Sequence, residues 1–281
     1  MREHQKYFPV VAEDGSLLPG FVAVNNTGVT DYNLTREGHE RVLRARLEDA
    51  LFFFESDRKK RLEDRLDYLQ GIIFQNKLGS MKDKNDRVVK LAGMLAGILE
   101  PDAVDESCRA ALLCKADLIT DMVGEFPSLQ GVMGSAYAEN DGEKDSVSLA
   151  VKEHYMPLRA GAPLPKSGAG AIVALADRID TIAGCFGIGQ QPTGTADPFG
   201  LRRLSIAILH IIEDRGYSLS LSEIFTKSLA LYGDRVDGSA ATVDTILSFI
   251  RLRFENDKIS DGIDGRAVEA VTSVVFDDVN D

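Results

Sequence analysis

From Gly38 to the end of the chain, apolar residues return at every third or fourth position, and this periodicity limits the fold more than any other feature. In "HERVLRARLEDALFFF" the positions Val42, Leu43, Leu47, Ala50, Leu51 and Phe54 follow that spacing, which puts them on one face of an amphipathic helix. The same reading predicts helices over 57–76, 80–99, 105–123, 126–139, 143–156, 168–186, 198–215, 220–232, 239–255 and 264–274. Helix-breaking residues mark the gaps: "LGS" at 78–80, "EPD" at 100–102, "RAGAPLPKSGAG" at 159–170 and "GIGQQPTGTADP" at 187–198. Ser107, Asp197 and Ser220 stand where N-terminal caps are expected. Residues 6–25, "KYFPVVAEDGSLLPGFVAVN", read differently, as two short β-prone runs around a turn-forming "EDGS". A lone hairpin is only marginally stable in water, so this one is expected either to pack on helices or to be the edge of something absent. The fold class expected is mainly α with a short N-terminal β-hairpin.

The 281 residues suffice for one large domain or two modest ones. A formal net charge of -12 argues against a dedicated binder of nucleic acid or anionic membrane, because phosphates repel such a surface. Local charge departs from the total. Residues 58–90 hold ten Lys/Arg against five Asp/Glu, whereas residues 98–145 hold three against eleven, so the chain is electrostatically two-faced. Cys108, Cys114 and Cys185 form no C-x-x-C pair and are odd in number, which favours reduced thiols and a cytoplasmic setting. No apolar run reaches the roughly 18 residues that span a bilayer, and "MREHQKYFPVV" lacks a signal-peptide core, so no membrane partner is expected.

Three segments, "DKNDRVVKLAGMLA" at 83–96, "AALLCKAD" at 110–117 and "ALADRID" at 174–180, resemble the HD-domain superfamily. That resemblance implies histidines and carboxylates around divalent metals that activate water against a phosphate ester. Most of the residues present do not suit the role. The first histidine's place falls near Lys84 and the His-Asp pair on Cys114 and Lys115, leaving Asp177 where the pattern wants an aspartate. His4, His39, His154 and His210 lie outside these motifs. A lysine ammonium repels a metal, so a helical scaffold without its metal is expected. Asp117 and Asp177 would then be helix-edge carboxylates, paired with neighbours such as Lys115 or Arg178. A divergent phosphohydrolase using Asp117 and Asp177 is the enzymatic alternative, and a purely structural spacer is another.

Several clusters invite a phosphate partner. Arg41 and Arg44 share one helical face, and Arg46, Arg58, Lys59, Lys60 and Arg61 follow. The competing reading is a solvated face neutralised by Glu40, Glu48 and Asp49. "HQKYFP" at 4–9 offers His4, Lys6 and two aromatics for stacking, or equally a strand that docks Tyr7 and Phe8 in the core. "PTGTADPFGLRR" at 192–203 is expected to start a helix, with Asp197 as cap and Pro198 at the first position. Phe199, Leu201, Leu204 and Ile208 would then face the core, and Arg202 and Arg203 would be free for RNA or inter-domain contact.

Taken in order, "MREHQKYFPVV", "GHERVLRARLEDALFFFESDRK", "IFQNKLGS", "LCKADLITDMVGEFPSLQGVMGSAYA" and "PTGTADPFGLRR" resemble the β subunit of bacterial two-subunit glycyl-tRNA synthetases through essentially the whole chain. One departure is His39 in "GHER", where that family more usually has asparagine, which puts a local hydrogen bond in question. The resemblance implies a central fragment of a longer subunit: residues 1–35 as the remnant of a preceding β module, 36–190 as an HD-like helical domain and 191–281 as a further helical segment. It implies that the α subunit activates glycine with ATP, and that the β subunit serves tRNA recognition and assembly. No cofactor or metal is then expected in this chain, and no catalytic residue. Its expected partners are the α subunit, tRNA(Gly) and the remaining β-subunit domains, with the basic residues of 36–90 as the RNA face.

Overall fold

The computed structural model describes residues 6–274 and 276–281, so His4 lies outside the described residues. The chain divides into two compact units, Met1–Glu55 and Ser56–Asp281.

In the first unit, β1 (Tyr7–Val11) pairs antiparallel with β2 (Leu17–Ala23) in the register Tyr7↔Ala23, Phe8↔Val22 and Pro9↔Phe21. The turn closes where expected, with Gly15 at φ +82° and Ala12 N–H bonded to Ser16 O at 2.9 Å. Strand alternation separates the aromatic pair, with Tyr7 buried and Phe8 38% exposed. Helix α1 (Tyr32–Asp57) starts six residues before Gly38, because the Asp31 carboxylate accepts from the N–H groups of Asn33 and Leu34. His39 answers the question its position raised. Its ring bonds on both sides, to Tyr7 Oη at 2.9 Å and Asn25 Oδ1 at 2.8 Å, and so ties the hairpin to the helix.

The second unit is built around α7 (Gly168–Gly187), whose apolar and small residues leave it buried on nearly every side. Around it lie α2 (Met81–Leu99), α3 (Val104–Leu113), α6 (Asp145–Glu153), α8 (Leu201–Arg215), α9 (Leu221–Ala230) and α10 (Ala240–Ser260). Here α5 (Val132–Asn140) packs on α6, and α11 (Gly265–Thr272) on α10. Close approach explains one glycine: a Cβ on Gly184 would run into the Tyr232 hydroxyl. Since α8, α9 and α10 pack directly on α7, residues 191–281 belong to the same unit as the helices before them.

Several expected helices change form. Residues 57–76 give a 3₁₀ stretch at Glu63–Gly71 and a short strand β3 (Ile73–Gln75), which pairs with β4 (Gly79–Ser80). Side chains hold this segment out of an α-helix, since Leu62 N–H bonds to the Asp141 carboxylate at 2.7 Å and Arg65 returns to the Asp57 carbonyl at 2.7 Å. The helix expected at 105–123 breaks after Leu113 into a 3₁₀ turn at Ala116–Ile119 and then α4 (Asp121–Glu125), which Thr120 caps. Ser107 therefore lies inside α3, not at its start, while Ser220 does cap α9. Asp197 acts from further away than expected. The helix begins at Leu201, not Pro198, and the Asp197 carboxylate reaches the N–H groups of Leu201 and Arg202 at 2.7 and 3.0 Å.

Candidate functional site

Two cations on α2 face two carboxylates on α7, each pair spaced three residues apart and so on one helical face. Lys84 Nζ lies 2.9 Å from Asp177 Oδ1 and 3.1 Å from Asp180 Oδ2, and it donates to Thr181 Oγ1 at 2.8 Å. Arg87 Nε meets Asp180 Oδ1 at 2.7 Å, and its guanidinium stacks 3.8 Å from the centre of the Tyr232 ring. From the end of α3, Lys115 Nζ reaches Asp177 Oδ2 at 3.0 Å and His154 Nε2 at 3.0 Å. Lys84, Lys115 and Asp177 therefore meet at one centre, and both Asp177 oxygens already face an ammonium group.

The electrostatics follow from burial and pairing. Burial alone would raise the Asp177 carboxyl, but the ammonium groups of Lys115 and Lys84 outweigh it and hold the group well below the usual carboxylate range. Burial, reinforced by Lys115, keeps His154 neutral far below its ordinary value. Its Nδ1–H donates to Val151 O at 2.5 Å, which leaves Nε2 to accept from Lys115. Burial pushes the Cys114 thiol up to about 12, so it is not a thiolate. These donors do not fit a divalent metal: the carboxylate is taken, the cysteine is protonated, and two positive charges occupy the space.

Asp117 does not join that centre. Its Oδ2 accepts from Gly131 N–H at 2.6 Å and Gly134 N–H at 3.1 Å, which fastens the turn before α5. Nor does Asp177 pair with Arg178, whose guanidinium donates to the carbonyls of His154, Ala174, Tyr155 and Met156. Sequence reasoning missed His154, Arg87 and Asp180. The last two had a legible signal in the matched three-residue spacings of Lys84 with Arg87 and Asp177 with Asp180. His154 had none, because only tertiary packing brings it to Lys115.

Beside this centre, two cavities of about 430 and 550 Å³ adjoin along α8 and share Pro157, Arg203 and Ala207. The first reaches Asp177, Arg178 and His154, and the second is lined by Arg159, Arg202, Ile206 and His210. Arg203 is exposed and makes no ion pair among the described residues. Arg202 is engaged, donating to Gly194 O at 2.8 Å. Leu201 and Ile208 are buried as expected, while Leu204 and Phe199 are partly exposed.

The remaining basic candidates divide between the two units. Arg41 and Arg44 are exposed on α1 with no ion pair among the described residues. Arg46, on the same helix, is partly buried. In the second unit Arg58 donates to Asn140 Oδ1 at 2.7 Å and Lys60 lies 3.9 Å over the Tyr68 ring, while Lys59 is exposed.

Residues 1–273 match the protein family described as glycyl-tRNA synthetase beta subunit. The chain belongs to that family. Among its curated relatives, the glycine–tRNA ligase beta subunit of Citrifermentans bemidjiense is 49% identical over 280 residues, covering 99% of this chain and 41% of that protein. That of Syntrophotalea carbinolica is 50% identical over 279 residues, and that of Geobacter sulfurreducens 48% over 282, each again covered over 41% of its length. The chain thus spans about two fifths of the length of these relatives. Within this family of aminoacyl-tRNA ligases, the lysine-filled centre is a buried charge network, and no helix among the described residues is long and apolar enough to cross a membrane.

Proposed function

We propose that this chain is a non-catalytic part of a cytoplasmic glycyl-tRNA synthetase β subunit, supporting tRNA recognition and subunit assembly. The whole enzyme uses ATP to join glycine to tRNA(Gly), with activation on an α subunit; the remaining β-subunit domains complete the assembly. The observation that carries the RNA reading is the groove along α8, where Arg159, Arg202 and Arg203 gather on a chain of net charge -12. A local cationic groove on an acidic protein attracts phosphate where it is wanted and repels it elsewhere. Arg41, Arg44 and Lys59 offer further unpaired charge, whereas Arg46, Arg58 and Lys60 are secondary candidates. A structural role for the centre is supported by the way each of its buried cations, Lys84, Arg87 and Lys115, meets a carboxylate.

The test is tRNA(Gly) binding by the intact two-subunit enzyme at several salt concentrations. Replacing Arg203 and Arg159 by glutamate is expected to weaken binding several-fold and to lower the slope of log affinity against log salt by about one per lost contact. Unchanged affinity with an unchanged slope, for these variants and for Arg41→Glu/Arg44→Glu, would leave the spacer reading as the better one.

A further inference from the structure

On α8, His210, which also lines the second cavity, and Glu213 lie one turn apart on the same face, and Asp257 of α10 comes near them. One ligand atom from each, an imidazole nitrogen and two carboxylate oxygens, falls within 4.8 Å of the other two. His210 Nε2 and Asp257 Oδ2 are 2.9 Å apart. Metal bonds of about 2.0–2.2 Å at a tetrahedral angle set neighbouring ligand atoms roughly 3.3–3.6 Å apart, so small side-chain movements would bring the three atoms to that spacing. All three residues are partly exposed, which gives an ion a way in and leaves room for water in the open position.

We propose that His210, Glu213 and Asp257 form a zinc-class metal site that clasps α8 to α10. The donor set selects the ion: imidazole with carboxylates suits Zn²⁺ and its transition-metal neighbours, whereas Mg²⁺ and Ca²⁺ prefer oxygen alone. Two carboxylates also match the charge of a divalent cation. Lys258 holds the place meanwhile. Its Nζ pairs with Glu213 Oε1 and lies 5.2 Å from the centre of the Phe254 ring, so an ammonium displaced by the metal keeps an aromatic face to rest on. The site is separate from the Lys84–Asp177–Lys115 centre and does not depend on the tRNA reading.

The experiment is calorimetric titration of the chelator-treated 281-residue chain with zinc chloride, in parallel with the visible absorption of added Co²⁺. One ion per chain is expected, with a dissociation constant in the micromolar range and Co²⁺ bands of a nitrogen- and oxygen-liganded centre. His210→Ala should weaken binding at least tenfold. Asp257→Asn, which retains an acceptor for the imidazole N–H, should do the same with thermal unfolding near wild type, so that loss of metal is told apart from loss of fold. Lys258→Met should tighten binding several-fold by removing the competing cation. No saturable binding up to millimolar zinc, equal binding by His210→Ala, or an unchanged constant in Lys258→Met each overturns the proposal.

Discussion

The charges at the centre of the second unit and those along the α8 groove are made of the same residue types but face opposite physical demands. At the centre, Lys84, Arg87 and Asp180 are almost fully buried, and every one of them meets an opposite charge within 3.1 Å. In the groove, Arg203 is exposed and unpaired among the described residues. A buried ion tolerates no loss of its partner, because water cannot replace it. An exposed one loses little when changed and stays free to meet a ligand. The contrast separates charges that hold the fold from charges available for function.

The sharpest way to break this contrast is Asp180→Ala. It would leave Arg87 and part of Lys84 as uncompensated cations in the core, a loss expected at about 3–5 kcal/mol. Urea unfolding of the chain measures it directly. A loss under about 1 kcal/mol would mean that water reaches the pair and that the centre is no more demanding than a surface.

Asp117 is a second buried carboxylate, held by backbone N–H groups and not by a cation. Burial raises its carboxyl from 3.8 to about 6, against the pull of Gly131 N–H and Lys115. The folded chain therefore keeps a proton there that the unfolded chain has already released between pH 4 and 6. Stability from this group is present below about pH 4 and is lost as pH rises to about 6, on the order of 3 kcal/mol in all. Asp117→Asn should still accept from Gly131 N–H and should remove that part of the pH dependence. The difference in unfolding free energy between variant and wild type is thus expected to move in the variant's favour from pH 4 to pH 7. A constant difference would contradict the raised carboxyl.

The sequence was most informative where local chemistry decides the structure. The breaker "LGS" at 78–80 ends at Ser80, which starts α2 in a capping box with Asp83, and the helix expected over 168–186 appears as α7. It was least informative where a distant partner decides. Residues 57–76 have helical spacing, yet Asp141, some 80 residues away, takes the Leu62 N–H. The same distinction holds at the centre. Lys84, Lys115 and Asp177 hold matching places in a pattern and meet in space, whereas Asp117, which shares that pattern, bonds to the glycines of a turn. Arg46, Arg58 and Lys60 could not be told from free cations by type alone. A charge run in sequence shows which residues are cationic, and only packing shows which are already engaged.

The smallest effect tests the groove end of the contrast. Arg203→Gln removes an exposed charge with no ion pair among the described residues, so unfolding free energy should stay within about 0.5 kcal/mol of wild type. Arg202→Gln is the informative neighbour. Arg202 Nη2 donates to Gly194 O at 2.8 Å and Nη1 lies 4.0 Å from Asp197 Oδ2, and Asp197 in turn holds the first amides of α8. Because this pair is partly exposed, its loss should cost no more than about 1 kcal/mol, still more than the loss of Arg203. Urea melts of the two variants side by side would show the order. If Arg203→Gln proved the more destabilising, its charge would be serving the fold, and the division between a supporting centre and a free groove would have to be redrawn at α8.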